Sequence, residues 1–275
     1  MFRTGGRPLP PVDMVGVKNL EVFFGIGVVL VLILFIYLAV RYWISNKSPV
    51  GVLMLLGGVL TCTLEPFTDY IGLLWFPTKN TLFPAILHGF GVSVPWWVAV
   101  GYTWYVGGMS FYAYKRFENG ITNGQLAKLV GLIALADIVL ETTGLNLGVY
   151  TYYGNQPFQI LGFPWWWPLT GGLMCVGIGS LVYKYKKQFT GIASLLIIAL
   201  VPAGFTMFVG WVSWPIWVAL DSGAGYFYSY LAGCLSLLLA AMLFKGISLE
   251  VARDTVVPVR SDIVKEGKQE CAIRR

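Results

Sequence analysis

Residues 23–43 of the chain read FFGIGVVLVLILFIYLAVRYW, and this stretch decides the class of the protein. Arg41 is its only charged residue. A helix needs about 20 mostly apolar residues to cross the hydrocarbon core of a bilayer, so the stretch is long enough to span one. Because it is too long and begins too late for a cleaved signal peptide, we interpret it as a membrane-spanning helix.

Six further apolar runs follow, and together they predict a membrane bundle. They cover residues 51–70, 94–114, 126–145, 164–183, 191–220 and 226–244. We therefore predict an all-α, polytopic integral membrane helical bundle of about seven transmembrane helices, with residues 1–247 as its single domain. Pro202 and Pro215 predict a tilted or kinked sixth helix. Residues 248–275 mix charges with few aromatics, which predicts a mobile cytoplasmic tail.

The composition of the 275-residue chain excludes several classes of protein. Hydrophobic residues make up 57% and charged residues 12%, whereas roughly a quarter of an ordinary soluble chain is charged. His88 is the only histidine, so a metal site built from several histidines cannot form. The chain contains no phosphate-binding loop, nucleophile elbow or HExxH motif. We expect no metal, cofactor or nucleic-acid partner, and we expect a lipid bilayer and a hydrophobic small molecule as partners.

Basic residues cluster at alternate connections between the predicted helices. They are Arg41, Lys47, Lys115, Arg116, Lys184, Lys186, Lys187 and Lys245. Among the other connections, residues 71–93 contain only Lys79 and residues 146–163 contain no basic residue. The positive-inside rule therefore predicts an external N-terminus and a cytoplasmic C-terminus. Arg3, Arg7 and Lys18 favour the opposite orientation.

Only six acidic residues lie between residues 22 and 244, and one of these, Glu118, is in a basic connection. The other five fall late in the second, fourth and sixth predicted helices: Glu65, Asp69, Asp137, Glu141 and Asp221. A carboxylate that faces lipid is costly, so we expect all five to face the bundle interior at a similar depth. The i, i+4 spacing places Asp137 and Glu141 on one helix face, and it does the same for Glu65 and Asp69 if the helix continues past Pro66.

Two interpretations of these acids remain open. They either pair with tyrosines, tryptophans or backbone groups and fix the helix packing, or they form a functional group of residues. A carboxyl group that is desolvated and lacks a cationic partner favours its protonated form, which a general acid requires. We predict Glu141 and Asp137 as the central catalytic pair and Glu65 and Asp69 as a second pair. Asp221 is the weakest candidate because it falls at a short turn.

Polar and aromatic residues near the acids suggest a pocket. Aromatic rings can stabilise positive charge that develops on a substrate. The predicted substrate-binding residues are Tyr150, Tyr152, Trp166, Asn146 and His88. The alternative for the tryptophan triplet at residues 165–167 is an anchor at the membrane interface, where tryptophans gather. The alternative for His88 is a packed or interfacial histidine.

The acidic segments resemble a known family of membrane proteins. Residues 137–141 (DIVLE) and 148–152 (GVYTY) are similar to the D-x-x-x-E…G-x-Y-x-Y segment of the AveC-like spirocyclases, named after the spiroketal cyclase of avermectin biosynthesis. Residues 65–70 (EPFTDY) resemble that family's acidic-Pro…Asn-Tyr pattern, with Asp69 where asparagine is usual. The resemblance runs from about residue 51 to residue 187.

The resemblance implies a cyclase that needs no redox cofactor. In that reaction two hydroxyls of a polyketide add to one ketone, water leaves, and a spiroketal forms through an oxocarbenium ion. The same residues would also serve a membrane-bound terpene or meroterpenoid cyclase that protonates an epoxide or an alkene. A third reading is a non-catalytic lipid-binding or transport protein. A retinal protein is disfavoured because Lys245 lies at the very end of the seventh run.

Overall fold

The computed structural model describes residues 6–82 and 84–253, and these residues are mostly helical. The helices are α1 (Lys18–Asn46), α2 (Val50–Thr61), α3 (Glu65–Gly72), α4 (Trp96–Tyr102), α5 (Met109–Glu118), α6 (Asn123–Asn146), α7 (Trp167–Lys184), α8 (Leu196–Asp221) and α9 (Tyr226–Val251). A 3-10 turn (Cys62–Leu64) joins α2 to α3, a π-helical turn (Thr103–Gly108) joins α4 to α5, and a 3-10 turn (Gly191–Leu195) precedes α8. Each apolar run of the sequence therefore contains a helix.

Short strands occupy the connections between the helices, and the sequence analysis did not predict them. They are β1 (Leu74–Trp75), β2 (Leu87–Gly89), β3 (Val92–Val94), β4 (Ile121–Thr122), β5 (Thr151–Tyr152), β6 (Gln159–Ile160), β7 (Phe163–Pro164) and β8 (Ala252–Arg253). The antiparallel pairs are β1 with β5, β2 with β3 and β6 with β7, whereas β4 and β8 are parallel. These pairs tie distant connections to one another.

Four helical segments of the described chain are long and apolar enough to cross a membrane: Lys18–Asn46, Val50–Gly72, Gly191–Asp221 and Tyr226–Val251. The outward faces of the first and the last of these segments are apolar as well. Phe23, Ile26 and Leu30 of α1 and Leu231 and Leu238 of α9 are all exposed. Soluble proteins rarely expose contiguous apolar surface on this scale, whereas a helix in lipid does so without cost.

The connections meet at two opposite ends of the bundle. We call the first the loop end; it comprises residues 6–17, 73–95, 147–166 and 222–225. There β1 pairs with β5, and Val15 forms a β-bridge with Lys79. We call the second the basic end; it comprises residues 47–49, 119–122, 185–190 and 252–253. There β4 pairs with β8, and Lys184 forms a 2.8 Å ion pair with Glu250.

Helix α7 is the centre of the bundle. It packs against α5, α6, α8 and α9, and most of its residues from Pro168 to Val182 are buried. Glycines allow neighbouring backbones to approach closely: a Cβ atom at Gly179 would lie 2.7 Å from the carbonyl oxygen of Ser110. Small residues of this kind let helices pack tightly without a side-chain layer between them.

A second close contact joins α2 to the π-helical turn. A Cβ atom at Gly58 would lie 2.6 Å from the Tyr102 carbonyl oxygen and 2.9 Å from the Gly107 nitrogen. The facing Gly107 would overlap the Met54 carbonyl oxygen if it carried a Cβ atom. The two glycines therefore set the distance between α2 and the helix that carries Tyr102.

The boundary predicted at residue 247 falls inside α9. Ser248 is buried, and its hydroxyl donates a 2.6 Å hydrogen bond to Oδ1 of Asn123. Because α9 continues to Val251 and is followed by the β4–β8 pair, residues 248–253 belong to the bundle. The rest of the predicted tail, residues 254–275, lies outside the described residues, as does Arg3.

We predict that Gly58→Ala destabilises the protein. Its Cβ atom would meet backbone atoms, which cannot rotate away as a side chain can, so we expect a loss of about 1–3 kcal/mol. The control is Gly131→Ala on the exposed face of α6, where nothing lies within 4 Å. Alanine is the better helix former there, so its apparent Tm should be equal or higher. Equal apparent Tm values for both variants in detergent would contradict the close contact.

Candidate functional site

A cavity of about 110 Å³ lies in the half of the bundle next to the loop end, and four carboxylates are in its wall. We call it the acidic chamber. Its acidic and tyrosine residues are Glu65, Asp69, Asp137, Glu141, Tyr102, Tyr105, Tyr150 and Tyr152. Its tryptophans are Trp97, Trp166, Trp167 and Trp217. The chamber therefore brings together four of the five predicted acids and three of the predicted substrate-binding residues.

The first acid pair lies on α3. Pro66 occupies the first turn of this helix, where a missing backbone N–H costs nothing, so the helix forms despite the proline. Glu65 and Asp69 are consequently one turn apart on the same face, and they are only 9% and 5% exposed.

The two acids of α3 differ in their hydrogen bonding. Oε2 of Glu65 accepts hydrogen bonds from the Tyr102 hydroxyl and, at 3.2 Å, from the Thr68 hydroxyl. By contrast, Oδ2 of Asp69 is buried without a hydrogen-bond partner. Buried polar atoms are nearly always paired, and this carboxylate oxygen is one of the exceptions among the described residues.

The second acid pair lies on α6. Asp137 is 2% exposed and interacts with Tyr105, although neither Oδ2 of Asp137 nor the Tyr105 hydroxyl makes a hydrogen bond of ordinary geometry. Glu141 lies one turn further on, and its Oε2 accepts a 3.1 Å hydrogen bond from the Tyr152 hydroxyl. Asp137 and Glu141 thus share the face that the i, i+4 spacing predicted.

A glycine turn brings two tyrosines back onto Glu141. Helix α6 ends at Asn146, and Gly148 follows with φ +67°, a conformation that favours glycine. The chain then reverses, and the Tyr150 ring packs where a Cβ atom at Gly144 would overlap it. The Tyr150 hydroxyl donates a 3.3 Å hydrogen bond to the backbone carbonyl of Glu141.

The four acids are close enough to interact electrostatically, and no cation offsets them. Glu65 and Glu141 interact electrostatically with Asp69, and Asp137 interacts electrostatically with Glu141. No lysine, arginine or histidine of the described residues lines the chamber. Because the acids are coupled in a region of low dielectric, ionising one of them makes ionising the next more costly.

Aromatic rings form another part of the chamber lining. The Trp97 ring lies 4.9 Å from Phe24, 5.6 Å from Phe76 and 5.8 Å from Tyr150, measured between ring centroids. The indole Nε1 atoms of Trp97 and Trp166 are buried without an acceptor. The chamber therefore has an aromatic lining of the kind that suits positive charge, and the indole N–H groups of Trp97 and Trp166 have no acceptor.

The interfacial reading of the tryptophan triplet at residues 165–167 suits only its first member. Trp165 is 42% exposed, as an anchor would be, whereas Trp166 is 3% exposed. Trp166 and Trp167 line the chamber with their rings 5.2 Å apart. Trp165 therefore lies at the surface, whereas Trp166 and Trp167 belong to the site.

Asp221 lies outside the chamber, which corrects its placement with the other acids. Its side chain is 53% exposed and forms an ion pair with Arg7. The Arg7 guanidinium also donates to the Tyr70 carbonyl and lies 3.5 Å from the centroid of the Tyr70 ring. Because α8 ends at the loop end, where residues 6–17 pass, Asp221 has a cationic partner that hydropathy alone could not reveal.

Asn146 and His88 also lie outside the chamber. The exposed Asn146 side chain donates a 2.7 Å hydrogen bond to the Thr142 carbonyl one turn earlier, so it caps its own helix end. His88 lies exposed in the β2–β3 hairpin, with Nδ1 3.1 Å from the Ser93 hydroxyl. Neither residue is among those that line the chamber.

Sequence reasoning missed the chamber residues of the third apolar run, Trp97, Tyr102 and Tyr105. This run contains no acidic residue, so the sequence analysis did not predict that its aromatic residues line a site. The spacing of Tyr102 and Tyr105 could have indicated a polar face in this run, because residues three apart share a helix face. The π-helical turn at this point is a feature that is frequent at functional sites.

Comparisons with known proteins give no indication of function, so the chamber is the basis for inferring it. No protein-family model matches the chain, and no curated protein and no solved structure is significantly similar to it. Within residues 6–82 and 84–253, no group of three or more His, Cys, Asp and Glu side chains is arranged to hold a metal ion.

We predict that Tyr102→Phe lowers the stability of the protein by about 1–3 kcal/mol. It removes a donor to the buried Glu65 carboxyl and leaves that oxygen with Thr68 alone. The matched control is Tyr226→Phe on the exposed surface of α9, which should keep the apparent Tm of the unmodified protein. If both variants melted at the same temperature, the hydroxyl of Tyr102 would not be supporting Glu65.

Proposed function

We propose that the protein is a membrane-embedded enzyme that cyclises a hydrophobic compound by acid catalysis, without a redox cofactor. One observation carries this proposal: four largely buried carboxyl groups surround a cavity whose described lining contains no lysine, arginine or histidine. Such a site favours protonated carboxyl groups, and a protonated carboxyl group can donate a proton to a weakly basic oxygen or alkene.

The hydrogen bonding supports a division of roles among the acids. Glu141 and Asp137 act as the central pair, one as the proton donor and the other as the group that holds negative charge. Tyr152 orients Glu141 through its hydrogen bond, and Tyr102 does the same for Glu65 in the second pair. Asp69 lines the chamber as well, and its Oδ2 has no hydrogen-bond partner.

Charge that develops on the substrate has a suitable environment. A cation formed by loss of water would lie between ionised carboxylates and the rings of Trp97 and Tyr150. Aromatic faces and carboxylates both stabilise positive charge, and a chamber enclosed by helices limits the water that would intercept it.

Spiroketal formation from a dihydroxyketone is the specific reaction that the resemblance suggests. One hydroxyl adds to the ketone, an acid of the chamber protonates the resulting hemiketal hydroxyl, and water leaves. The second hydroxyl then attacks the oxocarbenium ion and returns its proton to the carboxylate.

The size of the chamber limits what enters it. Engineered cavities of about 150 Å³ hold a molecule the size of benzene, and the chamber has about 110 Å³. We infer that only the reacting part of a large substrate occupies it, while the remainder lies in the opening or in lipid.

We further propose that all the apolar runs cross the membrane and that the loop end is external. Most lysines and arginines of the described residues lie in the basic end or in the adjoining ends of helices, as the positive-inside rule expects of a cytoplasmic face. The cations of the loop end are paired instead: Arg7 with Asp221, and Lys79 with Asp13 at 3.2 Å. Arg7 therefore argues less strongly for the opposite orientation than it does in the sequence alone.

We predict that at least one of Glu65→Gln, Asp69→Asn, Asp137→Asn and Glu141→Gln lowers turnover by about 100-fold or more, because proton donation contributes on that scale. Purified membranes would be given a dihydroxyketone or an epoxidised prenyl compound, and the products identified by mass spectrometry and NMR. The product formed distinguishes a spiroketal cyclase from a terpene cyclase.

Asp221→Asn is the control for the amide variants, since it makes the same chemical change outside the chamber. It should retain most of the activity. Apparent Tm values show which variants are folded. Full activity in all four folded chamber variants would end the proposal of acid catalysis, and a carrier would then be the remaining reading.

We predict that Lys79→Cys reacts with a membrane-impermeant maleimide in intact cells, whereas Lys186→Cys reacts only after the cells are permeabilised. Both would be made in a background that lacks Cys234 and Cys271; Cys62 and Cys175 are buried. The opposite labelling pattern would reverse the orientation.

A further inference from the structure

We propose that the acidic chamber binds small organic cations with a compact ammonium head group, and that it releases a proton when it does so. The inference shares the chamber with the proposed cyclase but does not require turnover. It concerns which molecules the site holds at equilibrium, so it applies to ligands that undergo no reaction.

Asp69 provides the first observation. It is 5% exposed, it lies in the chamber wall, and its Oδ2 has no hydrogen-bond partner. A carboxyl group buried in a cavity wall is costly to ionise unless a positive charge lies beside it. The lining offers it no lysine, arginine or histidine among the described residues, so a cation that entered the cavity would supply that charge.

The aromatic wall provides the second observation. Trp97 and Tyr150 lie with their rings 5.8 Å apart in the lining, and Trp217 lines the same cavity. Tryptophan and tyrosine faces attract cations, most strongly where water is excluded. A cation with methyl groups matches such a wall because it has little need for hydrogen bonds.

The arrangement of the acids favours an organic cation over a metal ion. Magnesium and calcium need several oxygen ligands that converge on one point. The described acids do not form such a group of three or more, but flank a cavity of about 110 Å³ that has aromatic walls. An ammonium group with its methyl substituents is large enough to contact both the acids and the rings.

Charge balance requires the proton to leave. Near the cavity, the titratable groups are Glu65, Asp69 and Cys62 near α3, Asp137 and Glu141 on α6, Cys175 on α7, and Tyr102, Tyr105, Tyr150 and Tyr152 around them. No cation among the described residues lines the chamber, so the acids share protons before the ligand arrives. When an ammonium ion enters, one carboxyl group ionises and its proton passes to the buffer, which leaves the net charge of the chamber unchanged.

The test compares two ligands that differ in charge and hardly at all in shape. Choline carries a quaternary ammonium, and 3,3-dimethylbutan-1-ol has a neutral carbon in place of the nitrogen. Both would be titrated calorimetrically into the full-length protein in a non-ionic detergent. We expect choline to bind at least about tenfold more tightly. Its binding enthalpy should differ between phosphate and Tris buffers by the amount that release of about one proton predicts.

A matched pair of variants assigns the effect to the chamber. Asp69→Asn should weaken choline binding by about tenfold and reduce the proton release. Asp221→Asn, which carries the same change at the surface, should alter neither quantity. The comparison of the two ligands on the unmodified protein needs no variant, so it stands even if Asp69→Asn does not fold.

The results that overturn the inference are distinct from those that overturn the cyclase. Equal affinity for the neutral alcohol, displacement of choline by an equal concentration of sodium ions, or an unaltered affinity in folded Asp69→Asn would each refute cation binding. Choline binding with proton release in a protein that cyclises neither substrate class would leave the inference standing and refute the proposed reaction. Turnover without choline binding would support the proposed reaction and refute cation binding.

Discussion

The cost of placing a carboxyl group against an apolar surrounding is the constraint on which the structure of the chamber depends. Glu65, Asp69, Asp137 and Glu141 lie on helices whose outward faces carry apolar side chains, so their polar groups turn toward the bundle interior. Helices with inward acids must leave space between them, and that space is the chamber. The tyrosines then satisfy some of the carboxylate oxygens that water cannot reach.

The close glycine contacts make this arrangement possible. Gly58 and Gly107 allow α2 to approach the π-helical turn, which carries Tyr102 toward Glu65. Gly144 and Gly148 allow residues 149–152 to fold back against α6, which carries Tyr152 toward Glu141. Each acid pair thus has a tyrosine that is supplied by a different segment, and a glycine-dependent backbone approach lies behind each of these hydrogen bonds.

The chamber wall contains buried polar atoms without hydrogen-bond partners, as do other parts of the described chain. Asp69 Oδ2 and the indole N–H groups of Trp97 and Trp166 are buried without partners, although hydroxyl groups are abundant nearby. Unpaired buried polar atoms lower the stability of the folded state. The packing interpretation of the acids suits Glu65, which has two hydroxyl donors, better than it suits Asp69.

The sequence by itself determined the helical class, the position of each helix and the shared faces of the two acid pairs. Apolar run length and i, i+4 spacing are local properties, and they need no knowledge of the neighbours. Only the tertiary structure decided that Asp221 pairs with Arg7, that Asn146 and His88 stay outside, and that Trp97, Tyr102 and Tyr105 complete the chamber. These outcomes depend on which backbones approach one another closely and on where residues 6–17 cross the loop end. Neither can be deduced from the spacing of residues within a single helix.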